Sequence, residues 1–204
     1  LSIRRQRQMC IRDRCMSIGL LIDEDKPMIW RGPMVQGALE QLIKDVDWGE
    51  LDILFVDMPP GTGDVQLTMS QRVSLTGAII VSTPQDIALI DARKGLNMFK
   101  KVNVPIVGIV ENMSYYQCPK CNDKTMLFGD GGAKKTAIDM NVPFLGEVPL
   151  DIEIRINSDN GEPNKIFSKG SNNSIHFDEI SNKVLEFIKN DIDQEINEPT
   201  IKFE

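Results

Sequence analysis

Two cysteines stand three positions apart in Cys118-Pro119-Lys120-Cys121. This spacing brings two thiolates onto one metal or cluster face. A single pair supplies two ligands, whereas tetrahedral zinc or a 4Fe–4S cluster takes four. The other cysteines are Cys10 and Cys15, and no second Cys-x-x-Cys occurs. The simplest completion is a two-fold homodimer in which each chain gives Cys118 and Cys121 at the axis. A thioredoxin-like redox pair and unliganded cysteines are the rivals. A redox pair sits at a helix N-terminus, where the dipole lowers a thiol pKa. Here the next helix is expected only after Phe128-Gly129-Asp130-Gly131.

Asp57 ends an apolar run, Ile53-Leu54-Phe55-Val56, and opens Met58-Pro59-Pro60-Gly61-Thr62-Gly63-Asp64. A carboxylate at the tip of a buried strand, followed by a Gly-rich turn, is the layout of a Walker B aspartate and switch loop. Such an aspartate orients Mg²⁺, and glycine amides approach a γ-phosphate because no Cβ blocks them. The structural alternative is that Asp57 caps the helix starting near Gly63; two prolines and two glycines are more than a simple turn requires. Asn112 stands in Glu111-Asn112-Met113 after another apolar strand. Its amide can accept from adenine N6 and donate to N7. It also fits an ordinary turn. The single histidine, His176, lies at the expected solvent-exposed entry to the last helix, so no Ser-His-Asp or Cys-His mechanism is indicated.

These residues need a scaffold. Strands are expected at Ile18–Ile22, Ile53–Asp57, Ala78–Ser82, Ile106–Val110 and Phe144–Val148. Helices are expected at Pro33–Val46, Gly63–Val73, Ile87–Val102, Gly132–Met140 and Asp178–Asn190. Trp30 and Trp48 flank the first helix and are expected to pin it to the sheet. The alternation implies an α/β fold, a mainly parallel sheet with helices on both faces. Ligands of such sheets bind beyond the carboxyl ends of the strands, where the chemical residues fall.

The 204 residues suit one domain with a sizeable core. Hydrophobic residues make up 41% and charged residues 26%, as in ordinary globular proteins. The net charge of −7 argues against a nucleic-acid partner. It is unevenly spread: residues 1–16 hold Arg4, Arg5, Arg7, Arg12 and Arg14 against Asp13, a net of +4, leaving −11 elsewhere. Residues 1–15 read as a basic leader foreign to the domain, 16–190 as the domain, and 191–204 as a polar tail. No apolar run is long enough for a membrane helix, and no signal peptide is visible, which places the protein in the cytoplasm.

Taken together, the motifs resemble the Mrp/ApbC family of iron–sulfur cluster carriers, in the deviant-Walker group with MinD and the nitrogenase iron protein. The similar stretches are Met16-Ser17-Ile18-Gly19, Trp30-Arg31-Gly32-Pro33-Met34, Val56 through Leu67, Thr83-Pro84-Gln85-Asp86, Asp91-Ala92-Arg93-Lys94-Gly95, Val110-Glu111-Asn112-Met113-Ser114, Cys118-Pro119-Lys120-Cys121 and Gly146-Glu147-Val148-Pro149-Leu150-Asp151. They span about Met16 to Phe167. The resemblance implies a P-loop NTPase-like fold, with Asp57 as the Walker B aspartate and Gly61 as the switch glycine near the γ-phosphate. It implies that Asn112 and the Pro149-Leu150-Asp151 turn line the adenine. It implies that Cys118 and Cys121 bridge a 4Fe–4S cluster between two subunits, that ATP with Mg²⁺ is bound and hydrolysed, and that the cluster passes to apo iron–sulfur proteins. The family's Gly-Lys-Gly-Gly-x-Gly-Lys-Ser/Thr loop, its switch I aspartate and its first strand have no counterpart here. The expectation is therefore an N-terminally truncated chain, inactive as an ATPase as written.

Two other classes compete. A MinD-like membrane switch usually ends in a basic amphipathic helix. Here Phe177 to Ile196 is acidic, with Asp178, Glu179, Glu186, Asp191, Asp193 and Glu195, which argues against anionic membranes. A non-enzymatic zinc or redox Cys-x-x-Cys module is separated from a cluster carrier by metal analysis.

Overall fold

A computed structural model describes residues 7–8, 14–20, 32–59, 63–168 and 173–197. The chain divides into two compact units, Leu1–Arg72 and Val73–Glu204.

In the first unit, β1 (Arg7–Gln8) pairs antiparallel with β2 (Arg14–Cys15). A 3-10 turn, Ile18–Leu20, follows, then α1 (Gly32–Lys44) and α2 (Asp64–Arg72). Leu39, Leu42 and Ile43 of α1 are half-buried. Trp48 fastens the helix end by donating its indole N–H to the Leu42 carbonyl at 3.1 Å. It therefore pins α1 at its own C-terminus; Trp30 lies outside the described residues. The Arg14 guanidinium donates to the Trp48 carbonyl.

Two expected strands are not seen here. Ile18–Leu20 is a 3-10 turn, closed by the Leu20 amide on the Ser17 carbonyl at 3.0 Å, and Leu21 and Ile22 lie outside the described residues. Ile53–Asp57 is irregular backbone, with Phe55 70% exposed. A strand apolar on both faces is held by paired neighbours and covering helices. Among the described residues no strand pairs with 53–57, so the apolar pattern alone does not order it.

The second unit carries the sheet. In order come β3 (Ala78–Ser82), α3 (Asp86–Lys101), β4 (Ile106–Gln117), β5 (Lys124–Thr125), α4 (Gly132–Asp139), β6 (Phe144–Leu150), α5 (Ile152–Asp159), a 3-10 turn (Pro163–Lys165) and α6 (Ser174–Asn197). β4 is central: β3 and β6 pair with it in parallel, β5 antiparallel. Crossover helices between parallel strands explain α3 and α4. The sequence punctuates both crossovers alike. α3 runs into Asn103-Val104-Pro105 and α4 into Asn141-Val142-Pro143, with the asparagines left-handed at φ 58° and 51°. Val104 N–H returns to the Phe99 carbonyl and Val142 N–H to the Ala137 carbonyl, each at 3.0 Å. A left-handed asparagine and a nearby proline stop a helix.

Helices cover both faces. On one, Ile80 and Ile109 pack with Leu89 and Leu96 of α3 and Ala133 and Ala137 of α4. On the other, Val107, Val110, Leu145 and Val148 pack with Val184 of α6, with Phe177, Ile180 and Phe187 beside them. Fully burying one such side chain stabilises by about 1.5–3 kcal/mol. α6 begins earlier than expected, at Ser174, and takes in His176. α5 was not foreseen; Asp151 starts it by accepting the Glu153 N–H at 2.6 Å. No helix among the described residues is long and apolar enough to cross a membrane.

Candidate functional site

The expected site residues of the second unit fall in two places, along the paired ends of β4 and β6 and in the turn between β4 and β5. β4 does not stop at Val110; it runs on to Gln117, and β6 runs through Pro149 to Leu150. Asn112 therefore lies within a strand, and Pro149-Leu150 belongs to a strand rather than a turn. In the β4 extension, Tyr115 and Tyr116 favour a strand. Asn112 pairs with Val148 and Tyr116 with Leu150, so Met113, Ser114 and Tyr115 stand against the single residue Pro149. That is a bulge, and proline, with no N–H to offer the ladder, fits opposite it. Met113 is left-handed there, at φ 55°. The Asn112 side-chain oxygen accepts the Met113 N–H at 3.0 Å, and Ser114 Oγ donates to the Val148 carbonyl at 3.2 Å.

Asn112 thus lies opposite Val148, the residue before Pro149, with Asp151 just beyond Leu150. The Asn112 oxygen is used locally, and among the described residues its NH₂ has no hydrogen-bond partner. Asp151 spends one oxygen on its helix cap.

The cysteines sit at the tip of the hairpin that β4 and β5 form. Cys118 N–H donates to the Asp123 carbonyl at 3.0 Å, and Asn122 N–H to the Cys118 carbonyl at 2.8 Å. Asn122 is left-handed at φ 60°, which closes the turn tightly. Cys118 is half-buried and Cys121 exposed, both free thiols. The backbone amides of Cys121 and then Lys120 bond to the Cys118 sulfur, and with the Cys121 side chain they lower its pKa below the ordinary 9.0. Amides aimed at one sulfur favour thiolate, the form that binds soft metals. Helix α4 begins only at Gly132, so the pair is not at a helix N-terminus. Among the described residues no third His, Cys, Asp or Glu joins it as a metal-holding group.

Asp57, in the first unit, is exposed on irregular backbone. Two residues on, the Pro59 carbonyl accepts from the Gln66 side chain of α2 at 2.6 Å, and Gln66 is 3% exposed. Gly61 lies outside the described residues.

Two partnerships escaped the sequence reading. Glu111, 1% exposed, accepts the Ala133 N–H at 2.7 Å. The Gly-rich entry to α4 would by itself read as an anion cradle, yet this carboxylate fills it. Burial, then the neighbouring Glu147 and Asp130, push the Glu111 pKa above 4.5, against the amides of Ala133 and Lys134. His176 is half-buried and lies 3.4 Å from the Tyr115 hydroxyl, so it packs on β4 rather than facing solvent alone. Neither partnership had a local signal in the sequence, because the partners lie 22 and 61 residues apart.

A family model described as ParA, NUBPL iron-transfer P-loop NTPase, matches residues 9–185. The chain belongs to this family. It is 54% identical, over 92% of its length, to the iron–sulfur cluster transfer protein NUBPL of Dictyostelium discoideum. It is 49% identical, over 91%, to the Arabidopsis thaliana iron–sulfur protein required for NADH dehydrogenase, mitochondrial. An iron–sulfur cluster carrier protein of Pseudomonas fragi is 49% identical over 81% of the chain. The chain spans 59%, 62% and 58% of these relatives. Among solved structures, a nucleotide-binding protein of Archaeoglobus fulgidus in complex with ADP superposes with a TM-score of 0.62 at 37% identity, over 74% of this chain and 57% of that one. The cell division ATPase MinD of Pyrococcus furiosus, at 22% identity and a TM-score of 0.51 over the same shares, shows the shared fold alone. The fold is thus the P-loop NTPase-like α/β sheet.

Proposed function

We propose that this chain carries a 4Fe–4S cluster as cargo, held between two copies, and delivers it to apo iron–sulfur proteins. The carrying observation is the exposed hairpin tip that presents Cys118 and Cys121, with amides turned onto the Cys118 sulfur. Two thiolates per chain leave a cluster half-coordinated, and a second copy supplies the rest. Relatives named as cluster carriers and transfer proteins support the reading. A cluster bound at an exposed tip can pass to a recipient's thiolates by ligand exchange. The compartment is a reducing one, the cytoplasm in the first instance, where such thiols persist.

In the full-length protein, ATP binding and hydrolysis are coupled to delivery. Within this proposal Asn112, Pro149 and Asp151 would bind the adenine, Asp57 would hold Mg²⁺ and Gly61 would serve the γ-phosphate. What supports the base end is the half-buried Asn112, whose side-chain oxygen takes the Met113 N–H and whose NH₂ has no hydrogen-bond partner among the described residues. The phosphate end needs a lysine-bearing loop that this sequence does not contain.

Anaerobic reconstitution with ferrous iron and sulfide tests the proposal. The expected result is a dimer with about four irons per two chains. Cys118→Ala or Cys121→Ala abolishes iron uptake and dimerisation together. A monomer with stoichiometric zinc and no iron would establish a zinc module instead.

A further inference from the structure

We propose that Glu111 is a positioning residue that closes the cysteine loop at its base and so sets how Cys118 and Cys121 are presented. The inference rests on the cluster-carrying reading above.

Glu111 pairs with Glu147 on β4, one residue before Asn112 and the bulge, and its side chain is 1% exposed. Its bond to the Ala133 N–H joins two points 22 residues apart, and both cysteines lie between them. The far end is a firm anchor. Ala133 is wholly buried in the cluster of Ile80, Leu89, Leu96, Ile109 and Ala137. One turn on, Thr136 is also fully buried, and its hydroxyl meets the Arg93 guanidinium at 3.2 Å. Gly132 packs so closely that a Cβ would lie 2.6 Å from the Pro84 carbonyl oxygen and 2.7 Å from Leu89 Cδ1. The start of α4 therefore does not drift, and whatever is tied to it is fixed.

A helix N-terminus leaves amides unsatisfied. Commonly a Ser, Thr, Asp or Asn at the cap answers them locally. In α4 the cap is Gly131, left-handed at φ 61° and without a side chain. Glu111 answers instead, from another element. This costs desolvation of a carboxylate with Glu147 paired beside it on β6 and Asp130 nearby. A local cap would stabilise the helix more cheaply. What the distant cap adds is closure of the loop, which lowers the freedom of every residue inside it, the thiols included.

The experiment uses the full 204-residue chain as Glu111→Ala, Glu111→Gln and, as a control for general destabilisation, Leu145→Ala on the other face of the sheet. Hydrogen exchange on the metal-free chains is read first. Glu111→Ala is expected to speed exchange over residues 118–131 about tenfold or more, as loss of a buried charge-assisted bond implies, with 144–150 unchanged. Glu111→Gln, whose oxygen still accepts the Ala133 N–H, restores protection. After reconstitution with ferrous iron and sulfide, iron loss to a chelator is then timed. Glu111→Ala is expected to lose iron about tenfold faster or more, and Glu111→Gln at close to the native rate. Native exchange over 118–131 in Glu111→Ala, or equal loosening of that segment in Leu145→Ala, overturns the inference. So does loosened exchange with unaltered iron loss. A native chain that takes up no iron defeats the cluster reading, while the exchange arm still decides whether Glu111 closes the loop.

Discussion

The Lys124 ammonium lies 4.2 Å from the centroid of the Tyr115 ring. Lys124 belongs to β5, the return strand of the cysteine hairpin, and Tyr115 to the outgoing strand, where it is 6% exposed. The same tyrosine reaches His176 on α6 through its hydroxyl, at 3.4 Å. One side chain thus ties the hairpin to the last helix.

Removing only the hydroxyl, in Tyr115→Phe, is expected to cost about 0.5–1.5 kcal/mol, one hydrogen bond. Tyr115→Ala removes the ring as well and should cost about 3–5 kcal/mol. Lys124→Ala loses about 0.5–1 kcal/mol, and Lys124→Arg keeps it. Urea denaturation reads all four; equal stability of Tyr115→Phe and Tyr115→Ala would contradict the packing role.

Glu111 makes stability depend on pH in a direction opposite to most carboxylates. Its folded pKa is raised above 4.5, first by burial. The native state then binds the proton more tightly than the unfolded state. This contribution is fully present below the ordinary pKa and is lost as pH rises through the folded value. Glu111→Gln has no such titration. The Tm of the native chain relative to Glu111→Gln should therefore fall as pH rises from about 4 toward 7. A constant difference across that range would mean that Glu111 titrates normally.

Asn112 is expected to contribute to adenine recognition, measured in a protein extended upstream through the phosphate loop. Asn112→Ala should weaken ATP binding by about 1–3 kcal/mol and reduce discrimination against GTP. Asn112→Asp keeps an oxygen for the Met113 N–H but lacks the NH₂ donor, so it should lose ATP affinity while preserving the bulge. If calorimetry finds both variants unchanged, Asn112 serves the bulge alone.

The 204-residue chain is expected not to hydrolyse ATP, because phosphoryl transfer depends on positioning by loop amides and lysine that it does not contain. The extended protein should turn over, and Asp57→Ala should stop it. Asp57-dependent hydrolysis by the short chain would point to another phosphate site.

Local structure was legible in the sequence. The pair Cys118 and Cys121, the crossover helices α3 and α4 to within a residue or two, and the strand at Ala78–Ser82 all follow from residues close together in the chain. Spacing and apolar period are read without knowing what lies opposite. The motifs also carried the family. Tertiary structure alone decided whatever needs a distant partner. Ile53–Asp57 has a strand's apolar pattern but no paired neighbour among the described residues, so pattern did not become strand. β4 ran past Val110 because β5 and Leu150 pair with its extension, and the bulge formed because Pro149 stands opposite. Glu111 became a helix cap and Tyr115 a clamp only when folding brought Ala133, Lys124 and His176 to them. A hydrogen bond or a ring contact is a property of two positions in space, and sequence specifies only one of them at a time.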